Sequence, residues 1–286
     1  FTDNFTYVKD VLSSSDFTIG NLETMLSETS SYFAEEPAVN GSPHCNAPST
    51  FLDAVRYAGF DMVVTANNHA CDTGVKGIFQ TLAHLKQYKL LNTGLFTNER
   101  QKRYIIVEID GIKVAFMSYA SAFNSKDTHL TQEGRSVMLN KYSPSRVKTD
   151  VENAKADGAE YIISYIHWGK EFTNTQSAAQ EKYAQDMADA GVDYIIGSHP
   201  HALMPYDHVT ASDGRIVPVI YSLGNFVSHI TSKVITSESM ILKIELTKNS
   251  SGKVLLKSEG YIPCRILKTY KGNHYTCFPL TSPYND

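Results

Sequence analysis

The sequence lacks a long hydrophobic run and any surplus of positive charge. No stretch approaches the roughly 18 consecutive apolar residues that indicate a membrane-spanning helix, and no signal peptide is visible at its start. Lys and Arg total 26 against 30 Asp and Glu, which leaves a formal net charge of -4. Because there is no basic excess, the composition does not indicate a nucleic-acid partner. The chain begins at Phe1, and we expect any export signal, lipid anchor or membrane helix to lie upstream of it.

Cysteine is scarce, and its spacing excludes the common cysteine motifs. The four cysteines are Cys45, Cys71, Cys264 and Cys277, and no two of them have the C-x-x-C spacing of a zinc knuckle or a thioredoxin motif. Cys264 and Cys277 lie in the same C-terminal segment, so they can form a disulfide if the protein is exported. Four free thiols are equally compatible with the sequence.

Several enzyme signatures are also missing. The chain has no G-x-S-x-G nucleophile elbow, no Walker loop and no dinucleotide-binding fingerprint. Cys71 lies two residues after His69, but the sequence shows no third group that would orient the histidine of a Cys/His nucleophile. A cysteine hydrolase is therefore not favoured.

The patterns that are present alternate between strand and helix along 286 residues, of which 42% are hydrophobic and 20% charged. We expect one α/β domain over residues 1–286, with two sheets packed face to face and helices outside. Apolar runs predict strands at 17–20, 61–65, 90–93, 104–109, 113–119, 161–166, 192–196, 216–221, 239–246 and 254–263. Helical spacing and capping residues predict helices over about 48–58, 73–85, 144–157 and 177–190. We expect loops at 31–47 and at 121–142, the latter forming an irregular lid or rim, and a hairpin turn at Asp110-Gly111.

Polar loops follow four of the predicted strands directly. The strand at 61–65 precedes Ala66-Asn67-Asn68-His69, the strand at 161–166 precedes His167, and the strand at 192–196 precedes Gly197–His201. The strand at 17–20 runs into Asn21-Leu22-Glu23. Because ligands of α/β sheets bind outside the carboxyl ends of strands, we expect these loops to meet on one edge.

The residue types in these loops suit a divalent metal. Glu23, Asn68, His167, His199 and His201 offer carboxylate, amide and imidazole ligands, a mixed set typical of Mn, Fe, Zn or Co. A carboxylate can bridge two metals about 3.5–4 Å apart. In an extended His-x-His segment both imidazoles point to the same side, which predicts that they serve neighbouring metals.

The neighbouring residues Asn68 and His69 have different predicted roles. In an extended loop their side chains diverge, so Asn68 can bind the metal while His69 faces the substrate. An imidazole in that place can protonate a leaving oxygen, which makes His69 the candidate catalytic residue.

Each of these residues also has an ordinary structural explanation. Asn67-Asn68 is typical of a turn, Glu23 of a solvated or capping acid, and His167 of a hydrogen-bonded loop residue. The convergence of four loops on one edge argues against applying these explanations to all of them. The remaining histidines are interpreted as structural or surface residues: 44, 84, 129, 208, 229 and 274.

Across roughly residues 10–230 the chain resembles the CapA family of bacterial capsule-synthesis proteins, also called poly-gamma-glutamate synthesis proteins. The resemblance is carried, in the family's order, by Gly20–Thr24 (GNLET), Ala66–Gly74 (ANNHACDTG), Thr81-Leu82, His167–Glu171 (HWGKE), Gly197–His201 (GSHPH) and Tyr221–Phe226 (YSLGNF). It implies a calcineurin-like metallophosphoesterase fold, which is a four-layer α-β-β-α sandwich.

The resemblance also implies roles for single residues. Asn68-His69 is similar to the Gly-Asn-His motif of metallophosphoesterases, with Asn68 as metal ligand and His69 as acid. His167 resembles the lone metal histidine of the fold, and His199 and His201 resemble the terminal Gly-His-x-His pair.

Two departures from the family pattern concern the first metal. Glu23 is the candidate replacement for the Asp of the bridging Gly-Asp motif, with Asn21 second, and no strand carrying a Gly-Asp ligand precedes Asn21. Asn67 stands in place of the Gly before Asn-His. We expect Asn21, Asn67 and Asn225 to line the same edge and contact substrate.

The expected function is capsule or poly-gamma-glutamate biosynthesis, with one or two Mn, Fe or Zn ions supporting hydrolysis or group transfer. The alternatives are a non-catalytic polymer-binding component of a capsule synthesis and export complex, and a metallophosphatase for small molecules. Expected partners are an anionic polymer such as poly-gamma-glutamate and membrane subunits of that complex. The expected location is the extracellular face of the bacterial membrane.

Overall fold

The structure is a computed structural model that describes residues 1–32, 43–268 and 274–280. Its strands are β1 (Ile19–Asn21), β2 (Met62–Val64), β3 (Leu91–Thr93), β4 (Tyr104–Ile109), β5 (Ile112–Ala120), β6 (Tyr161–His167), β7 (Tyr194–Ser198), β8 (Tyr206–Thr210), β9 (Ile216–Ile220), β10 (Glu238–Lys248), β11 (Val254–Lys268) and β12 (Tyr275–Pro279). Its α-helices are α1 (Lys9–Ser13), α2 (Phe51–Tyr57), α3 (Gly74–Gln87), α4 (Gln132–Met138), α5 (Pro144–Ala156) and α6 (Ala178–Ala190).

The strands form three sheets. A six-stranded sheet has the order β4-β5-β6-β7-β9-β8, in which β5, β6, β7 and β9 run parallel. A parallel sheet has the order β1-β2-β3, and an antiparallel sheet has the order β10-β11-β12. The parallel strands matter most here, because their carboxyl ends point to the same edge.

Four hydrophobic clusters show how the layers pack. Val147 and Val151 of α5 and Met187 of α6 pack on one face of the six-stranded sheet. The other face packs against the two smaller sheets, through residues such as Met62 of β2 and Val254 of β11. Helices α1 and α2 cover the smaller sheets from outside, and a fourth cluster lies beneath α3 and α4. This confirms the predicted α-β-β-α sandwich.

Local sequence signals account for the helices of the outer layer. In α6 the side chain of Ser177 accepts from the backbone N–H of Gln180, and Gln180 bonds back to Ser177, which forms a capping box. Gly191 ends the helix at φ 105°. Helix α5 begins at Pro144 after a capping Ser143, as predicted. The predicted hairpin turn at Asp110-Gly111 is confirmed by the pairing of β4 with β5.

The structure departs from the sequence predictions in several segments. The region 121–142, predicted to be irregular, contains a 3-10 helix at Lys126–His129 and helix α4, which is capped by Thr131. That prediction was wrong because a capped helix of two turns shows little apolar periodicity. Helix α1 and strands β8 and β12 were not predicted. Of the predicted loop 31–47, residues 33–42 lie outside the described residues.

The cysteines are free thiols in this structure. Cys264 of β11 and Cys277 of β12 are both buried, on neighbouring strands of the antiparallel sheet. Within the described ranges, no helix is both long enough and apolar enough to span a membrane.

Candidate metal centre

The ends of β1, β2, β6 and β7 bring the predicted site residues to one edge. In the parallel pair β1–β2, Asn21 lies opposite Val64, and in the parallel pair β6–β7, His167 lies opposite Ser198. The two pairs meet there, since His167 Nε2 lies 2.9 Å from Asn68 Oδ1 and 3.5 Å from Glu23 Oε1. The convergence expected from the sequence is therefore observed.

Three ligand-type side chains form the centre of this edge. One ligand atom each from Glu23, His167 and His199 lies within 4.8 Å of the other two. The rings of His167 and His199 are 4.6 Å apart between centroids. We call these three residues, together with Asn68, the metal cluster, because imidazole nitrogens and carboxylate and amide oxygens are ligands of divalent transition metals.

His167 is held in one orientation by both of its ring nitrogens. Nδ1 hydrogen-bonds to Ser198 Oγ at 2.9 Å, and Nε2 faces Asn68 Oδ1. Burial, together with the neighbouring charges of His199 and His201, holds the pKa of His167 well below its usual range. The ring is therefore neutral near pH 7, which is the form that binds metals.

Glu23 presents a carboxylate oxygen that the fold does not satisfy. Asn21 Nδ2 donates to Glu23 Oε2 at 3.0 Å, whereas Oε1 is buried and has no hydrogen-bond partner among the described residues. Burial raises the pKa of Glu23, while the charges of His201 and His69 partly oppose that effect. A buried, unsatisfied carboxylate oxygen is costly unless a cation joins it.

His199 carries a second unsatisfied ligand atom. Its Nδ1 is buried and has no hydrogen-bond partner in the part of the chain that the structure describes. Burial and the charges of His201 and His69 lower the pKa of His199 to about 4. Two buried atoms without a hydrogen bond from any described residue, Glu23 Oε1 and His199 Nδ1, thus lie beside the neutral ring of His167.

The backbone of the His199-Pro200-His201 loop is not extended. His199 has φ 99° and His201 has φ 54°, both in the left-handed region. The prediction of an extended His-x-His segment was wrong, and the two rings lie 6.2 Å apart at an interplanar angle of 51°. Left-handed backbone at non-glycine residues is held by its surroundings and concentrates at functional sites.

His201 lies at the margin of the cluster. Its Nε2 is 3.9 Å from Glu23 Oε1, and its Nδ1 is bound by Asn225 Oδ1 at 2.8 Å. The amide nitrogen of Asn225 donates to the carbonyl of Thr236 at 2.8 Å. Asn225 was predicted to contact substrate, and the structure places it at this edge as a buried support for His201.

Asn67 is another buried amide that supports the edge. Its Nδ2 donates to the carbonyl of Leu22 at 2.8 Å and to Asn21 Oδ1 at 3.2 Å, and its Oδ1 accepts the backbone N–H of His69 at 3.1 Å. Asn67 and Asn21 thereby connect the Glu23 loop to the Asn68-His69 turn. Their contact with substrate stays a prediction.

His69 faces the buried carboxylate of Asp72. Its Nδ1 lies 2.7 Å from Asp72 Oδ2, which also accepts from the backbone N–H of Cys45 at 2.7 Å and lies 3.1 Å from Lys126 Nζ. Burial lowers the pKa of His69, but the hydrogen bonds to Asp72 and Cys45 outweigh it and raise the pKa to about 10. Near pH 7 the ring is an imidazolium, the form that can donate a proton.

Asp72 and Lys126 were missed as functional residues. Asp72 directly precedes Thr73, the N-cap of α3. The i, i+3 spacing of His69 and Asp72 was the available signal. Lys126 gave no signal, because nothing local indicated that a lysine from the 121–142 region would be buried against Asp72.

A second group of ligand-type residues, Cys45, His69 and Asp72, also lies within 4.8 Å. The ammonium of Lys126, 3.1 Å from Asp72 Oδ2, opposes a cation there. A metal fits the Glu23, Asn68, His167 and His199 cluster better, because that cluster has orphaned acceptors and none of the described lysine or arginine groups forms an ion pair with it.

Close packing fixes the end of β7 next to this cluster. The indole of buried Trp168 donates to the carbonyl of Tyr221 at 2.9 Å. A Cβ at Gly197 would lie 2.1 Å from that same carbonyl oxygen. Glycine is therefore required before Ser198, since any side chain would push β7 away from the strand that precedes Tyr221.

Comparison with known proteins gives a consistent family. A family model described as bacterial capsule synthesis protein PGA_cap matches residues 1–230. The capsule biosynthesis protein CapA of Bacillus anthracis is 31% identical over 226 residues, which are 78% of this chain and 53% of that protein. The PGA biosynthesis protein CapA of Bacillus subtilis (strain 168) is 26% identical over 257 residues, covering 87% of this chain and 62% of that protein. The chain thus spans between half and two thirds of these relatives.

A solved structure confirms the fold. The calcineurin-like phosphoesterase YfkN from Bacillus subtilis superposes with a TM-score of 0.50 at 18% identity, over 75% of this chain and 65% of that one. The likeness is one of fold. It agrees with the α-β-β-α sandwich.

Proposed function

The chain belongs to the PGA_cap family of bacterial capsule synthesis proteins, and from this premise we propose that its polar edge is a metal centre for hydrolysis or transfer of an ester, phosphoester or amide bond in a surface polymer. One observation carries the proposal: Glu23 Oε1 is buried without a hydrogen bond from any described residue, 3.5 Å from the neutral imidazole of His167. A buried carboxylate oxygen without a hydrogen bond, set among imidazole and amide groups that can bind metals, is expected where a cation belongs.

Glu23, Asn68, His167 and His199 would hold the ion, with His201 at the margin. A divalent ion of the Mn, Fe or Zn class would supply a Lewis acid and an acidified water. Ser198 orients His167, and Asn225 orients His201, so the ligands are preorganised by their neighbours.

His69 is the proposed proton donor. Its Nδ1 donates to Asp72, and the charged ring carries a second proton on Nε2. Asp72 holds the ring in one orientation and stabilises its charge, as a carboxylate partner does in other acid–base pairs. A proton transferred from Nε2 to a departing oxygen would leave the neutral ring still bonded to Asp72.

The proposal is tested on purified protein in two steps. Metal content after incubation with Mn, Zn or Fe is measured by inductively coupled plasma mass spectrometry, for the wild type and for Glu23→Gln, His167→Ala and His199→Ala. Exposed His208→Ala is the matched control. Turnover of p-nitrophenyl phosphate, a phosphodiester and poly-gamma-glutamate is then followed with the loaded protein. Metal-dependent turnover that His199→Ala removes and His208→Ala retains is the expected result.

Other results would favour other roles. The names of the two Bacillus relatives state a biosynthetic process and no reaction, which also fits a polymer-binding component. Metal and polymer binding without turnover would favour that component. Hydrolysis of the small phosphate ester alone would favour a small-molecule phosphatase. The absence of any metal-dependent reaction would overturn the proposed catalysis.

We further propose that the chain acts at the extracellular face of the cell membrane, held there by an upstream segment and by other subunits of a capsule-synthesis complex. The support is the family's link to capsule synthesis, since a capsule is a surface polymer. Protease treatment of intact cells tests this location. Protection of the protein until the cells are lysed would contradict it.

A further inference from the structure

Three side chains form a stack that leads from the metal cluster to the surface. The ring of Phe172 lies over the imidazole of His201, with centroids 5.8 Å apart and an interplanar angle of 23°. Lys233 Nζ lies 5.6 Å from the centre of the Phe172 ring. We call these three residues the His201 stack. Its inner end reaches the cluster, because His201 Nε2 is 3.9 Å from Glu23 Oε1.

The backbone of Phe172 is strained although its ring is largely exposed. The residue has φ 61°, a conformation that bulky side chains rarely adopt, and the side chain is 40% exposed. Its N–H donates to the carbonyl of Pro200 at 2.8 Å, which ties it to the His199–His201 loop. Burial in the core does not explain an exposed ring on a strained backbone, whereas strain of this kind concentrates where ligands bind.

The position of Lys233 is also tied to the cluster. The Asn225 amide that binds His201 Nδ1 donates to the carbonyls of Thr236 at 2.8 Å and Ile230 at 3.4 Å, and these two residues flank Lys233 in the chain. The buried amide of Asn225 therefore holds both His201, at the inner end of the stack, and the segment that carries Lys233, at its outer end. Among the described residues, no carboxylate lies within ion-pair distance of Lys233 Nζ.

The charges near Lys233 indicate what kind of group it can bind. The chain as a whole is acidic, with a net charge of -4. Glu171, next to Phe172, lies close enough to Glu23 for its charge to act on that carboxyl group. Lys233 is exposed, has no carboxylate partner among the described residues, and thus adds a positive group on the outer side of a cluster that contains Glu23 and lies near Glu171.

We propose that the His201 stack is the specificity element of the proposed site, with Lys233 binding an anionic group of the substrate and Phe172 packing against the chain that joins that group to the reacting bond. The anionic polymer belongs to the proposed function, and this inference adds the two residues that recognise it. A neutral polymer would leave Lys233 without a partner. This inference rests on the proposed function for the identity of the reacting bond, but the binding it describes can be measured separately.

The test uses a fluorescein-labelled gamma-linked glutamate decamer, whose binding to the Mn-loaded protein is measured by fluorescence anisotropy at 50 and 300 mM NaCl. A gamma-linked glutamine decamer is the neutral probe, and inorganic polyphosphate tests whether any polyanion suffices. The variants are Lys233→Met, Lys233→Arg and Phe172→Ala. Lys148→Met is the matched control, since Lys148 is an exposed lysine of α5.

We expect Lys233→Met to weaken glutamate binding about tenfold and to flatten its salt dependence, because one ion pair is removed. Lys233→Arg should keep most of the affinity, Lys148→Met all of it, and the neutral probe should not distinguish Lys233→Met from the wild type. Phe172→Ala should weaken both decamers by a similar factor. If polyphosphate competes more strongly than the unlabelled glutamate decamer, the group that Lys233 recognises is a phosphate and not a carboxylate.

Equal glutamate affinity of Lys233→Met and the wild type would overturn the inference, as would a wild type that does not bind the decamer. The metal-induced rise in melting temperature is recorded for each variant in parallel. If metal binding and turnover are absent while Lys233→Met still loses glutamate binding, the proposed catalysis fails and the recognition element stands. If turnover is intact and Lys233→Met is unchanged in KM and in binding, only the recognition element fails.

Discussion

Oε1 of Glu23 lies 3.5 Å from Nε2 of His167, a ring nitrogen that already bonds to Asn68 Oδ1 at 2.9 Å. The imidazole is neutral because its pKa is held far below the usual range, and the carboxylate oxygen has no other partner in the described residues. In a metal-free protein this contact is unfavourable, because the fold excludes the water that would solvate Oε1. The metal-free fold is therefore less stable than it would be without a binding site at this position.

Replacing Glu23 by Gln should therefore stabilise the metal-free protein. Burial raises the pKa of Glu23, so the folded state favours the protonated carboxyl, and the metal-free protein loses stability as the pH rises above 4.5. Gln cannot ionise, so the variant should be more stable than the wild type by about 1 kcal/mol at pH 7.5. The difference should disappear near pH 4. Melting temperatures measured in EDTA across this pH range give the answer.

With excess Mn the order should reverse, since the wild type gains stability from the bound ion and the variant does not. Glu152→Gln, a change at an exposed glutamate of α5, is the control. A Glu23→Gln protein that is less stable than the wild type in EDTA at pH 7.5 would refute the account of Glu23 as an unsatisfied ligand.

Ser198→Ala should weaken metal binding without removing a ligand. Ser198 Oγ bonds His167 Nδ1 at 2.9 Å and so fixes the ring orientation that directs Nε2 at the cluster. Loss of such a supporting group typically lowers metal affinity about 10–100-fold. Isothermal titration with Mn measures the change, and Ser212→Ala on an exposed turn serves as its control. Unchanged affinity would mean that packing alone orients the ring.

Asp72→Asn should lower the pKa of His69 and destabilise the protein near neutral pH. The pKa of His69 is raised from 6.5 to about 10, so the pair's contribution to stability is complete below pH 6.5 and is lost as the pH rises towards 10. Because Lys126 also loses its buried partner, we expect a loss of about 3 kcal/mol at pH 7. Urea unfolding at pH 7 and pH 10.5 measures the free energy of unfolding, and its difference between wild type and variant should be larger at pH 7.

The His69 signal in a proton NMR titration provides a second measurement for this variant, and its midpoint should move to lower pH. Asp213→Asn is the comparison, because that exposed carboxylate pairs with Arg215 at the surface. If wild type and Asp72→Asn differ in unfolding free energy by the same amount at both pH values, the lost stability comes from Lys126 alone.

Asn225→Ala should loosen both His201 and the segment that carries Lys233. The amide oxygen holds His201 Nδ1 at 2.8 Å, and the amide nitrogen holds the carbonyl of Thr236 at 2.8 Å. Their loss leaves buried groups unsatisfied, at about 1–3 kcal/mol. Faster hydrogen exchange of residues 228–237, with unchanged exchange in α5, is the expected pattern. Uniform acceleration throughout the protein would indicate general destabilisation instead.

Much of the fold and of the site was predictable because it depends on local patterns. Capping residues and helical spacing located α5 and α6, and apolar runs located the parallel strands. Since parallel strands end on a common edge, the polar residues after each strand were expected to meet there, and Glu23, Asn68, His167 and His199 do meet. The helix in the 121–142 region was missed, because two turns give too short a pattern.

By itself the sequence determined which residues lie at the carboxyl edge of the sheets, and that the edge is rich in metal-ligand types. Only the tertiary structure decided which partner each one has: Asp72 faces His69, Ser198 and Asn68 hold His167, and the His199–His201 loop is left-handed rather than extended. The stack of Lys233 on Phe172 likewise joins two distant loops. The physical reason is that hydrophobic periodicity records which face of an element is buried, whereas the pairing of polar side chains depends on backbone turns and contacts between segments far apart in the chain.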